Sequence, residues 1–294
     1  NRVEVNTPLE SLNLMINSWA KYQTIVSRLW ARSGYYQSGG AIGFRDQLQD
    51  TLGIKYIDIN LMRKQILIAA KHQFIEGDVE HWWHEETGRG IRTRFSDDLL
   101  WLPFGVCEYI DYTGDTSILE EEVEYLFGEI LQDGIDEKYD KYEVSDVKEP
   151  IYNHCIRAIE KSLNFGENGL PKIGSGDWND GMNTVGNKGK GESVWLGFFL
   201  YDVLNKFVKV CEQIKEMQTK VVNLKLTEEE KSAQLKLSSD KKSAQLKLAL
   251  ENQIEKYKNI LDKLKKALNT NGWDGRWYRR AFTDEGQILG TIQN

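Results

Sequence analysis

The chain has 294 residues, 40% of them hydrophobic, enough for one large domain or two modest ones. Its 38 Lys+Arg against 45 Asp+Glu give a formal charge of −7, which disfavours a nucleic-acid partner, since such binders carry strongly basic faces. No run of about 18 apolar residues occurs, so no membrane span is expected in this segment. Asn1-Arg2-Val3-Glu4 has no basic-then-apolar signal pattern and no Met, so the chain reads as a fragment or processed product. Cys107, Cys155 and Cys211 are few, odd in number and far apart in sequence, with no CxxC. Neither a disulfide framework nor a zinc knuckle is expected, and a reducing cytoplasm fits best.

Four prolines and long stretches of period near 3.6 predict an all-α chain. Asn6-Thr7-Pro8 opens a first helix, with Leu12, Leu14, Met15, Trp19, Tyr22, Ile25, Val26 and Leu29 as its apolar positions and an end near Arg32. A glycine-marked loop, Ser38-Gly39-Gly40-Ala41, leads to Gly43-Phe44-Arg45-Asp46. A second helix is legible from Ile59 to Phe74, with Met62, Ile66, Ala69, Ala70 and Phe74 on one face. Ser96-Asp97-Asp98 reads as an N-cap for a helix from Leu99 to Tyr112, kinked at Pro103 and stopped at Thr113-Gly114. Ile151 to Leu163 forms another helix, uniting Ile151, Cys155, Ala158, Ile159 and Leu163. The run Val194 to Val208 leaves little room for a polar face, as in a helix buried nearly all round. No set of period-2 strands is evident.

Residues 212–268 are different in kind. Lys-Ser-Ala-Gln-Leu-Lys-Leu occurs at 231–237 and again at 242–248, a period of 11 residues, which gives a straight or slightly right-handed helix. A charged, solvated helical hairpin is the simpler reading, and a coiled-coil contact to another chain the alternative.

The segment Pro171 to Glu192 holds six glycines between Gly174 and Gly191, together with Asp177, Trp178, Asn179 and Asp180. Long glycine-rich loops inside compact domains are usually functional. An indole offers a flat face to a sugar ring. A carboxyl beside it is partly desolvated and keeps its proton, as a general acid for a glycosidic oxygen must. The plainer alternative is an Asx-turn loop whose Asp side chains cap backbone amides.

The strings GSGDWNDGMNTVG, RLWARSGYYQSGGAIGFRDQLQD (28–50), RGIRTRFSDDLLWLP (89–103), GESVWLGFFLYDVL (191–204) and WDGRWYRRAF (273–282) together resemble glycoside hydrolase family 94. Its members are inverting phosphorylases of cellobiose, chitobiose and β-1,2-oligoglucans, and the phosphorylase-like part of cyclic β-1,2-glucan synthase. The resemblance covers nearly all the chain except 212–268, and leans toward the β-1,2-glucan members at YYQSGGA and GFRDQLQD. It implies an incomplete (α/α)6 barrel over 1–294, with 212–268 inserted. It implies an inverting glycosyltransferase of carbohydrate metabolism that uses phosphate as co-substrate, no other cofactor and no metal. By the same matching, Asp180 is the general acid, Trp178 and Asp46 bind the sugar with Arg45 beside them, and Arg32 reaches the phosphate. A β-linked oligosaccharide and a second copy of the chain are the implied partners.

Two departures stand out. Ala41, or a deletion, replaces an Arg found in cellobiose-type members, which weighs against cellobiose and chitobiose. The later phosphate-binding segment is expected beyond Asn294, so the chain alone is expected to be inactive or nearly so. An inverting hydrolase of the same barrel type and a non-catalytic carbohydrate-binding fragment remain as alternatives. The residues themselves leave other readings open. Arg45 with Asp46 could be an ion pair, and Arg32 could complement a helix dipole. His81 and His84 in HWWH read as aromatic loop packing rather than metal ligands. Asp97 and Asp98 read as N-cap acids, and Arg89, Arg92 and Arg94 as solvated or ion-paired.

Overall fold

The computed structural model describes residues 3–30, 40–227 and 233–291. Arg32 and the start of the 38–43 glycine loop lie outside the described residues.

Residues 10–30 form one helical run. The α-helical turns α1 (Glu10–Leu14) and α2 (Lys21–Ile25) alternate in it with wider π-helical turns, Met15–Ala20 and Val26–Trp30. Leu14, Met15, Trp19 and Tyr22 on it are exposed. The apolar positions read at a 3.6 period do not form a buried face here: no residue of the run is buried, and the π-helical turns widen the spacing. The run touches the body at its end, where Arg28 pairs with Asp50 at 2.7 Å.

The body is built from α3 (Phe44–Ile54), α4 (Ile59–Ala70), α5 (Trp101–Thr113), α6 (Ile151–Ser162), α7 (Val194–Thr227) and α8 (Ala233–Thr270). Each contributes one apolar stripe to a shared core. Met62, Ile66, Ala69 and Ala70 line α4, and Ile151, Cys155, Ala158 and Ile159 line α6, both at the spacing i, i+4, i+7, i+8. Asp58 caps α4 by accepting the amide of Asn60 at 3.0 Å. Gly114, with φ of 72°, ends α5 in a left-handed conformation, at the place where the sequence reading stopped the helix. Pro103 sits in the first turn of α5, where a backbone N–H needs no partner, so the position expected to kink a helix interior instead suits a helix start. The first half of α7 is buried on most sides through Leu200, Val203, Leu204, Phe207 and Cys211. The three cysteines are free and buried.

α7 and α8 run antiparallel, with Lys215–Glu251 at 2.9 Å and Lys258–Glu212 at 2.6 Å between them. Within the 212–268 segment, Leu250, Ile254, Tyr257, Leu261, Leu264 and Leu268 are buried in the main core. Its C-terminal third therefore packs as body helix, its lysines turned outward.

Strands are present, which corrects the all-α expectation. β1 (Ile42–Gly43), β2 (Glu80–His84), β3 (Arg89–Thr93) and β5 (Glu137–Lys141) form an antiparallel sheet in the order β1-β2-β3-β5. β4 (Glu122–Phe127) pairs with β6 (Glu143–Pro150). A small sheet joins β7 (Glu192–Ser193), β8 (Ala281–Phe282) and β9 (Ile288–Leu289). The HWWH segment is thus a strand rather than a packed loop. Its aromatic run, bounded by Gly77 and Gly88, hid the alternation because both faces are partly covered, with Trp83 buried against His72 at 3.6 Å between ring centroids. Buried His154 ties α6 to β4, through Nδ1 to Gln73 at 2.7 Å and Nε2 to the Val123 carbonyl at 3.1 Å. Burial pushes its pKa down to about 4, so it is a neutral core residue.

Candidate active site

The glycine-rich loop between Pro171 and Glu192 is held by close backbone approaches. Gly174, at φ of 62°, lies where an added Cβ would stand 2.2 Å from the Arg94 carbonyl oxygen. Its residue bridges Phe95 across the two segments. A Gly174→Ala substitution is expected to lower the midpoint of thermal unfolding, by about 2 kcal/mol or more in stability, because conformation and space both oppose it. An unchanged melting curve would refute that account.

Two carboxylates three residues apart have opposite surroundings. Asp177 is fully buried. Its Oδ1 accepts from the Asn179 amide at 3.1 Å and from Arg280 Nη2 at 2.6 Å, and its Oδ2 accepts from Ser193 Oγ at 2.6 Å. Asn179 Oδ1 in turn accepts the Gly181 amide at 3.1 Å. The Asx-turn alternative thus describes Asp177 and Asn179. Asp180, which opens the 3-10 turn Asp180–Met182, has a side chain 63% exposed and accepts a hydrogen bond from Arg45. The indole-induced desolvation expected for this carboxyl is therefore not a property of the chain by itself, because Asp180 faces solvent and the Arg45 guanidinium. Trp178 is half exposed, its Nε1 donating to Gln49 Oε1 at 3.0 Å.

Arg45 organises the site from the second position of α3. Its side chain is buried. Nη1 donates to Asp97 Oδ1 at 2.7 Å and to the Asp177 carbonyl at 3.2 Å. Nη2 donates to the Trp178 carbonyl at 3.2 Å and to Asp180. Asp98 Oδ1 stands 3.6 Å from Nη1. One guanidinium thus joins α3, the turn before α5 and the glycine loop. Burial opposes its charge, but Asp98, Asp97 and Asp180 outweigh that and raise its pKa. Asp46, in the next position, folds back over the helix start; an added Cβ on Gly43 would meet its Oδ2 at 2.6 Å.

Asp97 and Asp98 do not cap the helix as expected. Neither makes a side-chain cap, and both are buried. Asp97 Oδ2 accepts the Trp101 indole N–H at 3.0 Å. Burial first, and then Asp98, raise the Asp97 pKa. Asp98 Oδ2 meets His81 Nδ1 at 2.7 Å. For His81, burial alone would lower the pKa, but the Asp98 carboxylate reverses this and the net shift is upward. His81 was set aside on the sequence, where only its placement in a strand with a register shift could have pointed to it. Arg92, by contrast, is an ion-paired structural residue as anticipated, held by Asp78 at 2.6 Å and Glu76 at 3.0 Å. Among the described residues no three His, Cys, Asp or Glu side chains converge as a metal site, and no helix is long and apolar enough to cross a membrane.

Sequence comparison agrees with this geometry at the level of family. The profile of the Glycosyl hydrolase 94 superfamily, catalytic domain, matches residues 1–243 and 234–294, and the chain belongs to that family. It is 40% identical over 293 residues to the cyclic beta-(1,2)-glucan synthase NdvB of Rhizobium meliloti, covering 99% of this chain and 9% of that protein. It is 29% identical over 290 residues to the solabiose phosphorylase of Paenibacillus borealis, covering 98% and 30%. The 1,2-beta-oligoglucan phosphorylase of Listeria innocua is 25% identical over 226 residues, covering 74% and 20%. The chain thus spans a small part of each of these relatives. Phosphorylases and a glucan synthase are its homologues.

Proposed function

We propose that this chain carries the acid-bearing part of an inverting glycoside phosphorylase-type site for β-linked gluco-oligosaccharides, β-1,2-linked glucan foremost, within a partial (α/α)6 barrel. The difference between Asp177 and Asp180 carries the reading. The first is buried and fully engaged. The second is presented to solvent by a fixed loop, beside an exposed indole. In this reading Asp180 gives its proton to the glycosidic oxygen as the C1–O bond breaks. A phosphate oxygen attacks C1 from the opposite face, giving an α-sugar 1-phosphate. The sugar itself supplies the desolvation that the free carboxyl lacks, by covering it. Trp178 stacks on the sugar, Asp46 hydrogen-bonds it, Arg45 orients Asp180, and Arg32 reaches the phosphate. The 40% identity to a cyclic beta-(1,2)-glucan synthase supports the linkage.

A hydrolase would need a second carboxylate as base, roughly 6.5–9.5 Å from the acid. Asp177 is unsuited to it, since Arg280, Ser193 and the Asn179 amide occupy its oxygens. The deciding experiment offers β-1,2-gluco-oligosaccharides to the whole protein with and without inorganic phosphate. Sugar 1-phosphate is expected only with phosphate, and equal sugar release without it would overturn the proposal. Trp178→Ala is expected to weaken oligosaccharide binding about tenfold in calorimetry, ~1.4 kcal/mol, through loss of the stacking face. Unchanged affinity would remove the indole from the sugar site.

A further inference from the structure

We propose that His81 is a positioning residue of the site, acting through Asp98 on Arg45 and so on the carboxyl of Asp180. The inference rests on the reading of Asp180 as the acid. Its basis is a local irregularity in β2. The β2–β3 register passes from Glu80↔Arg92 to Trp82↔Ile91, leaving His81 as the extra residue of a β-bulge. A bulge turns one side chain off the alternation of its strand, and bulges recur next to active sites for that reason. Here the turned side chain reaches the carboxylate cluster. The His81 ring stacks on Phe95, 4.6 Å between centroids and 9° from parallel, and its Nδ1 meets Asp98 Oδ2 at 2.7 Å.

The rest of the chain of contacts is short. Phe95 also lies under the Arg45 guanidinium, 5.5 Å from its Cζ. Arg45 is then fixed by Asp97 at 2.7 Å, faces Asp98 at 3.6 Å and donates to Asp180. Asp98 Oδ1 is buried with no hydrogen-bond donor among the described residues, so His81 is the group that orients this carboxylate. An Asp98 free to turn would present its oxygens differently to Arg45, and the guanidinium would shift against Asp180. Small displacements of a proton donor cost rate far more than they cost affinity.

The test uses three substitutions in the whole protein. His81→Phe keeps the stacking on Phe95 and loses the hydrogen bond, His81→Ala loses both, and His81→Asn restores an N–H near the place of Nδ1. His81→Phe and His81→Ala are expected to lower kcat for phosphorolysis about tenfold or more, with the KM for oligosaccharide little changed. His81→Asn is expected to recover most of that loss, and melting curves identify any variant that fails to fold. A raised KM at unchanged kcat would overturn the proposal in favour of direct sugar contact. Wild-type kcat in His81→Phe would overturn it in favour of ring packing alone. Asp180→Asn, assayed alongside, separates the two layers: full turnover there overturns the acid reading and this inference with it. Lost turnover there with wild-type kcat in His81→Phe overturns this inference alone.

Discussion

Asp180→Asn in the whole protein is expected to lower phosphorolysis about a thousandfold, ~4 kcal/mol in barrier height. Oligosaccharide affinity should stay near wild type. Asn has the shape of Asp and keeps an oxygen for the Arg45 donor that now meets Asp180, so the loop has no reason to move. What it lacks is a transferable proton. A coupled assay for sugar 1-phosphate, with calorimetry on the same preparation, separates the two quantities. Retained turnover would take Asp180 out of the mechanism. Equal loss of binding and turnover would make it a ligand contact instead.

Arg45→Met is expected to be the most damaging change to the folded state. It removes the guanidinium that faces two buried carboxylates, Asp97 and Asp98, and the donors to the Asp177 and Trp178 carbonyls. Removing one partner from a buried ionic cluster costs about 3–5 kcal/mol. The sign of the pH dependence follows from Asp97, whose pKa in the folded chain is raised by burial and then by Asp98, with Arg45 pulling it back. A carboxyl raised on folding takes up a proton that the unfolded chain does not hold, so its contribution to stability grows as pH falls and is lost as pH rises. Without Arg45 that rise is larger. Thermal unfolding should therefore show the variant's deficit to be greatest near about pH 8 and smaller near about pH 5. A deficit that grows as pH falls would contradict the assignment of these carboxylates.

Helices α4 and α6 were legible in the sequence because each carries a single apolar stripe, whereas α3, which follows the glycine loop directly, was not read as a helix. The Met62–Ala70 and Ile151–Ile159 faces were read residue by residue, and both are buried. The strands were not. Those in the first sheet are short, and in β2 both faces are partly covered, so period-2 alternation is blurred in Glu-His-Trp-Trp-His. The exposed Leu14, Met15 and Trp19 show the converse: a pattern states a preference for burial and not the partner that would satisfy it. At the site, the loop glycines and the DWND string drew attention to the segment that Arg45 ties to α3 and to the turn before α5. Local chemistry alone gave Asp177 and Asp180 similar surroundings. Their separation depends on Arg280, Ser193 and Arg45, residues from 16 to 135 positions away. Asp97 and Asp98 were misread for the same reason, since Ser-Asp-Asp before an apolar run is an ordinary helix start and the distant Arg45 and His81 give it another use.

Two of the moorings of the glycine-rich loop come from the last stretch of chain. Arg280 grips Asp177 at 2.6 Å, and the Asp284 carboxylate accepts the amides of Lys188, Lys190 and Gly191 at 2.8, 2.8 and 2.9 Å. These contacts join residues 93 to 103 positions apart, so on a ribosome neither can form until that span has been made. The helices ahead of it can collapse early through near-neighbour packing, while the acid-bearing turn waits on closure of a long span. Chemical competence and chain compaction therefore arrive at different times, and a clip between α8 and residue 280 would leave a packed body whose loop keeps its ties to Arg45 and Ser193 but lacks those to Arg280 and Asp284.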